Sequence, residues 1–368
     1  PGRMNDDLTR LRYEAFGQFV HGTPSRAAWL ILTHDNPDPD ALVSMALLAR
    51  LLRQVFRRHA TIAYGGMIGR AENREMVRVL GLEMVHMREI SWRTFDLFAL
   101  VDSQPRTGNN QLPADLTPHV VIDHHPPRKA SLSCPFVDIR RDYGATATIL
   151  AEYLQASGHE PTRRQATALL YAIKAETQDF GRESAGPDHR VYDRLLPRID
   201  RRLMARIQHA RLPLSYFRNL HRALESLETV SSLVVSHLGE VDQPDIVPEI
   251  ADLLLRLEGK TWSLCTGAYG DRVYLSLRTT NPRADAGNLM RRLLRRRGKG
   301  GGHGMIAGGW IQIPRPGIPD AHVAIERQLA RELAVALKKN PERLLPLPLA
   351  PGGERSEIPG ERAAKDGS

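Results

Sequence analysis

The stretch that decides the fold is Ala28–Ala41, AWLILTHDNPDPDA. Its first six residues, Ala28–Thr33, are an apolar run of the length and composition of a strand buried on both faces of a parallel sheet. His34-Asp35-Asn36-Pro37-Asp38-Pro39-Asp40 follows directly. Pro37 and Pro39 bar ordinary helix and fix a loop. Asp40 stands where a helix N-cap belongs, and Ala41–Arg58 then carries helical periodicity. Strand, polar loop and helix in that order form the first half of a βαβ unit.

The same pattern recurs downstream. Ala60–Tyr64, Leu97–Asp102 (LFALVD) and Val120–Asp123 (VVID) read as further buried strands. Asn73–Leu80, Ala145–Gln155 and Arg163–Ala175 read as helices. Strands alternating with helices predict an α/β fold with a parallel sheet and crossover connections. In such sheets ligands bind beyond the carboxyl ends of the strands. Three strand ends finish in residues that bind metals: His34 to Asp40, then Val101-Asp102-Ser103, then Ile122-Asp123-His124-His125-Pro126. Any one of them is readable as a turn, a helix cap or an ordinary loop start. Three in succession, each after a buried strand, gather imidazoles and carboxylates on one sheet edge. That donor set suits Mn2+ and related divalent ions. A carboxylate able to bridge two ions about 3.5–4 Å apart suits in-line displacement at phosphorus.

The 368 residues allow two domains. The net charge of +9 and pI of about 9.8 draw anions such as phosphate-rich ligands. No run approaches the roughly 20 apolar residues of a membrane span, and PGRMNDDLTR lacks the apolar core of a secretory leader. Cys134 and Cys265 are far apart and offer neither metal spacing nor a disulfide framework. A reducing cytoplasm is the expected setting.

The expected organisation is a metal-binding domain over 1–200, a helical basic linker over 201–230, a smaller α/β domain over 231–345 and a disordered tail from 346. A cleft between the domains is expected to hold the substrate. In the second domain a helix, Val247–Leu257, precedes two strands, Thr261–Tyr269 and Arg272–Arg278, joined as a hairpin at Gly270–Asp271. A basic helix, Ala286–Arg297, leads into a loop at Gly300-Gly301-Gly302-His303, and an amphipathic helix covers about Ala321–Lys339. Arg291, Arg292 and Arg295–Arg297 read either as a solvated helix face or as a lane for extra phosphates. Gly144-Ala145-Thr146 opens a helix whose N-terminus is able to attract phosphate.

His-Asp-Asn-Pro-Asp-Pro-Asp-Ala, then Val-Asp-Ser, then Asp-His-His resembles the DHH phosphoesterase superfamily. The Gly300–His303 loop resembles the signature of its DHH-associated C-terminal domain. The likeness covers about residues 25 to 315. It is nearest to stand-alone members that hydrolyse very short RNA and phosphoadenosine phosphate (pAp). The resemblance implies that His34 and Asp38 ligate one metal, Asp40 and His124 the other, and that Asp102 bridges them. It makes His125 a group beside the phosphate and Asp123 its orienter. The family's Thr-Asp-Thr motif is replaced here by Glu176-Thr177, so Glu176 is the expected last ligand and Asp179 the reserve. Arg278 matches the substrate arginine, whose planar fork bonds phosphate bidentately. Gly300, Gly301 and Gly302 allow close approach of an anion to the backbone, and His303 adds a polar side chain.

The expected activity is Mn2+-dependent hydrolysis of short oligoribonucleotides or pAp. Two ions are expected, with Mg2+ or Co2+ as substitutes, no membrane partner and a homodimer by family analogy. A cyclic-dinucleotide phosphodiesterase is the runner-up. A pyrophosphatase is disfavoured by the Gly-Gly-Gly-His segment, and a processive exonuclease by the room its extra domains need. A non-catalytic nucleotide or RNA binder with a decayed site is the reading from another class.

Overall fold

The computed structural model describes residues 2–181, 184–295, 297–314 and 320–347, with the side chains of residues 2–6 and of His303 outside that description. It divides into two compact units, residues 1–211 and 212–368.

The first unit runs α1 (Gly2–Gly22), β1 (Trp29–Leu32), α2 (Pro39–Gln54), β2 (Ala60–Tyr64), α3 (Ala71–Leu80), β3 (Met84–His86), β4 (Leu97–Val101), β5 (Val120–Asp123), β6 (Phe136–Ile139), α4 (Thr146–Ala156), α5 (Arg163–Glu176), α6 (Gly186–Leu195) and α7 (Arg201–Gln208). Its six strands are all parallel, in the order β3-β2-β1-β4-β5-β6. The expected parallel α/β fold is therefore present. The four strands read from sequence recur within a residue or two at each end. The short strands β3 and β6 and the helices α1 and α6 are additions. The chain winds outward from β1 to β3, then returns to place β4 on the other side of β1. The polar loops after β1 and β4 thus lie at the switch point of the sheet, where strand order leaves a crevice.

Trp29 and Ile31 point into a core shared with the helices, including Phe16 of α1, Leu48 of α2 and Leu150 of α4. Leu30, Leu32, Phe98 and Leu100 face the other way, against Met87 and Trp92 of two short 3-10 turns and Leu112 of a loop. Among the described residues, α-helices thus cover one face only. α2 begins two residues earlier than expected: Asp38 is its N-cap, accepting from Ala41 N–H, and Pro39 opens the first turn. Proline fits that position because the missing N–H has no helical partner there.

The second unit comprises α8 (Leu214–Glu225), β7 (Glu228–Val230), β8 (Leu233–Glu240), α9 (Ile246–Leu254), β9 (Trp262–Tyr269), β10 (Arg272–Thr279), α10 (Ala286–Leu293), β11 (Gly298–His303), β12 (Ile306–Gln312), α11 (Ala321–Ala336) and β13 (Leu345–Pro346). The stretch 201–230 is shared between the units, α7 with the first and α8 and β7 with the second. The sheet order is β11-β12-β10-β9-β8-β7-β13, with β8 and β9 parallel. The β9–β10 hairpin turns at Gly270–Asp271, as its sequence predicts.

The triple glycine is a strand, not a loop. Gly300 and Gly302 sit in β11, paired with Gly309 and Ala307 of β12. A Cβ on Gly300 would come within 2.9 Å of Met290 Cγ of α10. The glycines let helix and strand approach that closely, which is why a run that reads as a flexible loop folds as an edge strand. The expected tail lies outside the described residues from 348 onward.

Candidate metal centre

Each predicted cluster follows its strand end, and the polar side chains converge. One ligand atom from each of His34, Asp38 and Asp102 lies within 4.8 Å of the others, and the same holds for Asp102, His124 and His125. Asp102 is common to both groups and is 3% exposed. Its Oδ2 is 3.5 Å from His34 Nε2, and its Oδ1 is 3.6 Å from His124 Nε2 and 3.7 Å from His125 Nδ1. Asp102 holds φ +52°, a left-handed conformation that costs a non-glycine residue about 1–2 kcal/mol. Such strain persists where the surroundings over-determine the residue, commonly at a site of function.

The tautomers follow from the neighbours. His34 Nδ1–H donates to the Asp35 carbonyl (2.9 Å) and His124 Nδ1–H to the Tyr143 carbonyl (3.1 Å). Each ring thereby turns its Nε2 to Asp102, the arrangement in which metal-binding imidazoles are held. His124 Nε2 is buried without a hydrogen-bond partner. Its distance to Asp102 is too long for a hydrogen bond and short enough for a shared cation.

Asp40 is 1% exposed and belongs to neither group of three. Both its oxygens accept backbone N–H groups from the first turn of α4: Oδ2 from Thr146 (2.8 Å) and Oδ1 from Ala147 (2.7 Å). The α4 N-terminus read from sequence as a phosphate attractor is thus filled by the protein's own carboxylate. A carboxylate oxygen keeps a second lone pair, so this tether orients Asp40 without removing it as a ligand. Thr146 Oγ1 also donates to Asp102 Oδ1 (3.0 Å).

Asp123 is the orienter of its loop. Its Oδ1 accepts from the N–H groups of His124 (2.8 Å) and His125 (3.2 Å) and from the His125 ring Nδ1 (2.9 Å). Gln104, which sequence reading missed, donates to Asp123 Oδ2 (2.7 Å) and accepts from Arg128 N–H (2.7 Å) and Ser131 Oγ (2.9 Å).

Charge in the site is unbalanced. Burial, followed by the Asp102, Glu176 and Asp38 carboxylates, drives the Asp40 pKa well above the usual carboxylate range. Burial opposes charge on His34, but the Asp102 and Asp38 carboxylates beside its Nε2 outweigh it and hold the imidazole well above its ordinary value. Burial likewise opposes charge on His125, and Asp123 outweighs it to push the ring up to about 9. Carboxylates crowded around neutral-capable imidazoles form a cation site, and these residues fit divalent metal.

Glu176, the last residue of α5, belongs to neither group of three, but its charge bears on Asp40 and His125. Asp179 sits in a left-handed turn, mostly exposed and paired with Lys174 (3.3 Å). The second-unit candidates are placed differently. Arg278 is 7% exposed. It donates from Nε to Asp252 Oδ1 of α9 (2.6 Å) and from Nη1 to the Ala307 carbonyl (3.2 Å). It is a buried tie between β10 and α9, not an open phosphate fork. Gly300, Gly301 and Gly302 lie in β11, and the His303 side chain is outside the described residues. Arg291, Arg292 and Arg295 are exposed while Met290, Leu293 and Leu294 are buried, the solvated-face arrangement. Arg296 lies outside the described residues.

No helix among the described residues is long and apolar enough to cross a membrane. Residues 29–173 match the DHH family N-terminal domain, and residues 231–330 match the DHHA1 domain. An uncharacterised protein of Methanocaldococcus jannaschii is 32% identical over 290 residues, covering 78% of this chain and 59% of that protein. An A-adding tRNA nucleotidyltransferase of Geobacter sulfurreducens is 24% identical over 296 residues, covering 77% and 32% respectively. The chain thus spans only part of each relative's length. An exopolyphosphatase-related protein of Bacteroides fragilis shares the fold, with a TM-score of 0.68 at 15% identity over 89% of this chain and 98% of that one. With both domains matched in order and the DHH strand-end residues converging on Asp102, the chain belongs to the DHH phosphoesterase superfamily, in the group that carries a C-terminal DHHA1 domain.

Proposed function

We propose that this chain is a two-metal phosphoesterase that hydrolyses short oligoribonucleotides and pAp with Mn2+. The observation that carries the reading is the single carboxylate of Asp102 shared by the two ligand groups, His34–Asp38 and His124–His125. His34, Asp38 and Asp102 would hold one ion, and Asp102, His124, Asp40 and Glu176 the other. Oxygen and imidazole donors of this kind favour Mn2+ over softer metals, with Mg2+ or Co2+ as substitutes. Two ions bound there supply Lewis acidity toward a phosphoryl oxygen and an acidified water.

The chain's own groups do the rest. Asp123 and Gln104 fix the His125 ring, which is partly exposed and able to hold or move a proton beside the substrate. The Asp35 and Tyr143 carbonyls fix the tautomers of His34 and His124. Thr146 and the α4 amides hold Asp102 and Asp40 against their mutual repulsion. The free, buried Cys134 and Cys265 fit a reducing cytoplasmic setting.

The test is product release with Mn2+ from pAp, di- to pentanucleotide RNA, cyclic di-AMP and pyrophosphate. Turnover of pAp or short RNA well above that of the others supports the reading. Preference for cyclic di-AMP assigns the runner-up activity. Failure of all four, with Mn2+ still bound, identifies a non-catalytic binder and overturns the proposal.

A further inference from the structure

Asp188 belongs to neither group of metal-binding residues, yet it is an acid with 0% exposure. It stands in the first turn of α6. Its Oδ2 accepts from the N–H groups of Ala185 (2.9 Å) and Gly144 (2.7 Å), and its Oδ1 from the Thr148 hydroxyl (2.6 Å). The Ala185 bond is what an acid in a first helical turn commonly makes, a reach back to the amide at the helix start. That bond needs one oxygen and no burial. Burying a carboxylate is costly unless donors replace its water. The other two bonds supply such donors, and both leave α6 for a single stretch of chain.

That stretch, residues 143–148, orients one side of the metal centre. The Tyr143 carbonyl accepts from His124 Nδ1–H (3.1 Å). The Thr146 and Ala147 N–H groups donate to Asp40 (2.8 and 2.7 Å), and Thr146 Oγ1 donates to Asp102 (3.0 Å). Asp188 grips the stretch at Gly144, one residue after the first of these groups, and at Thr148, one residue after the last. Ala145, at the N-cap of α4, makes no side-chain cap bond, so the start of α4 is fixed from outside. The other side of the centre is built differently. His34 Nδ1–H donates to the Asp35 carbonyl, and Asp38 caps α2 through the Ala41 N–H. Neither bond involves residues 143–148.

We propose that Asp188 is a positioning residue for one of the two metal ions, the one that Asp40 and His124 share with Asp102. It ties α6 to the start of α4 and so sets the spacing of Asp40 and His124. It acts through those residues and not on the ion itself. The inference rests on the two-ion reading above. Shape, not charge, is the property at work, because all three donors to Asp188 are neutral. Asparagine keeps the bonds: its oxygen takes the two N–H groups, and its Nδ2–H donates to Thr148 Oγ1, whose hydroxyl turns to accept.

The experiment is titration of the metal-free full chain with Mn2+, with free ion counted by electron paramagnetic resonance, which reads two dissociation constants without turnover. Asp188→Ala weakens one ion about 10–100-fold and leaves the other within about twofold, the effect of losing an outer support. In an Asp38→Asn background, which disables the other ion, the ion that remains is the one that Asp188→Ala weakens. Thr148→Val keeps the buried volume and removes one bond to Asp188; it weakens the same ion about threefold or more and decides the matter if Asp188→Ala does not fold. Asp188→Asn retains parent affinity for both ions.

Equal weakening of both ions in Asp188→Ala would mark a residue that supports the fold as a whole and overturn the proposal. So would parent affinity in Asp188→Ala or Thr148→Val, or a loss in Asp188→Asn as large as in Asp188→Ala. A parent chain that takes up one ion only would overturn the two-ion reading and this inference with it. Two ions in the parent with any of the earlier results would overturn the inference and leave that reading intact.

Discussion

Replacing Arg140 with methionine tests how the metal centre is braced. Arg140 is 5% exposed. Its Nε and Nη2 donate to Asp138 (3.0 and 2.8 Å), and its Nη1 to Glu152, Thr9 and Tyr143 Oη (2.8–2.9 Å). Tyr153 Oη completes Asp138 (2.7 Å), and Tyr143 Oη completes Glu152 (2.8 Å). Methionine fills similar volume but leaves two buried carboxylates without their cation. Removing one partner of a buried pair costs about 3–5 kcal/mol, a large share of a total of about 5–15 kcal/mol. In a unit of about this size each kcal/mol is worth roughly 2–4 °C, so calorimetric melting of the first unit should fall by about 6–20 °C. The triple change Arg140→Met, Asp138→Asn, Glu152→Gln should recover most of the loss, because the uncompensated charge goes with it. The effect reaches the site by a short path. Arg140 N–H donates to the Asp123 carbonyl (2.9 Å), and the carbonyl of Tyr143 holds His124. Loss of such an outer support should weaken Mn2+ binding about 10–100-fold. A melting shift below about 3 °C, or a triple variant no better than the single one, would refute the reasoning.

Three other outcomes are expected. Mn2+ at about 100 times its dissociation constant should stabilise the first unit by about 2.7 kcal/mol, a rise of roughly 5–11 °C by calorimetry; Asp102→Asn should abolish the rise and the turnover, and an undiminished rise would remove Asp102 as the shared ligand. Glu176→Ala should weaken Mn2+ binding in a direct titration while Asp179→Ala leaves it unchanged, and the reverse result would exchange their roles. In the second unit, burial pushes the Glu326 carboxyl up to about 7 from its ordinary 4.5, against the Thr266 hydroxyl that donates to it. A carboxyl with a raised folded pKa destabilises progressively as pH rises from about 4.5 to about 7 and constantly above that. Glu326→Gln should therefore stabilise by something on the order of 3 kcal/mol at pH 8 and by nothing at pH 4.5; equal gains at both pH values would refute the assignment.

The strand ends were legible because burial on both sheet faces forces unbroken apolar runs such as Trp29–Leu32, and metal donors directly after such runs have few other uses. Pro39 was visible but misjudged: a proline after an aspartate opens a helix as readily as it bars one. β3 was missed because Met84–His86 is three residues long and only half-buried. Capture of Asp40 by α4 joins residues 106 and 107 positions apart, and no local pattern records such a pairing. The triple glycine misled for a physical reason: glycine gives the chain freedom in a loop and lets backbones approach closely in a sheet, and composition alone does not say which. The same ambiguity hid Arg278, whose partner Asp252 lies on another element.

What holds the ligands is as informative as the ligands. Asp40 is fixed by backbone N–H groups, Asp102 by a threonine hydroxyl, Asp123 by a glutamine and two amides, and His34 and His124 by carbonyls. No lysine or arginine among the described residues forms an ion pair with Asp38, Asp40, Asp102 or Asp123. The nearby arginine, Arg140, is spent on Asp138 and Glu152. A protein carboxylate cluster kept for structure alone would recruit such a cation, since unpaired buried charge costs several kcal/mol per ion. Neutral donors orient carboxylates without cancelling their charge. In the empty site only protons, on His34, His125 and Asp40, offset the carboxylates, and a divalent cation would displace them on binding.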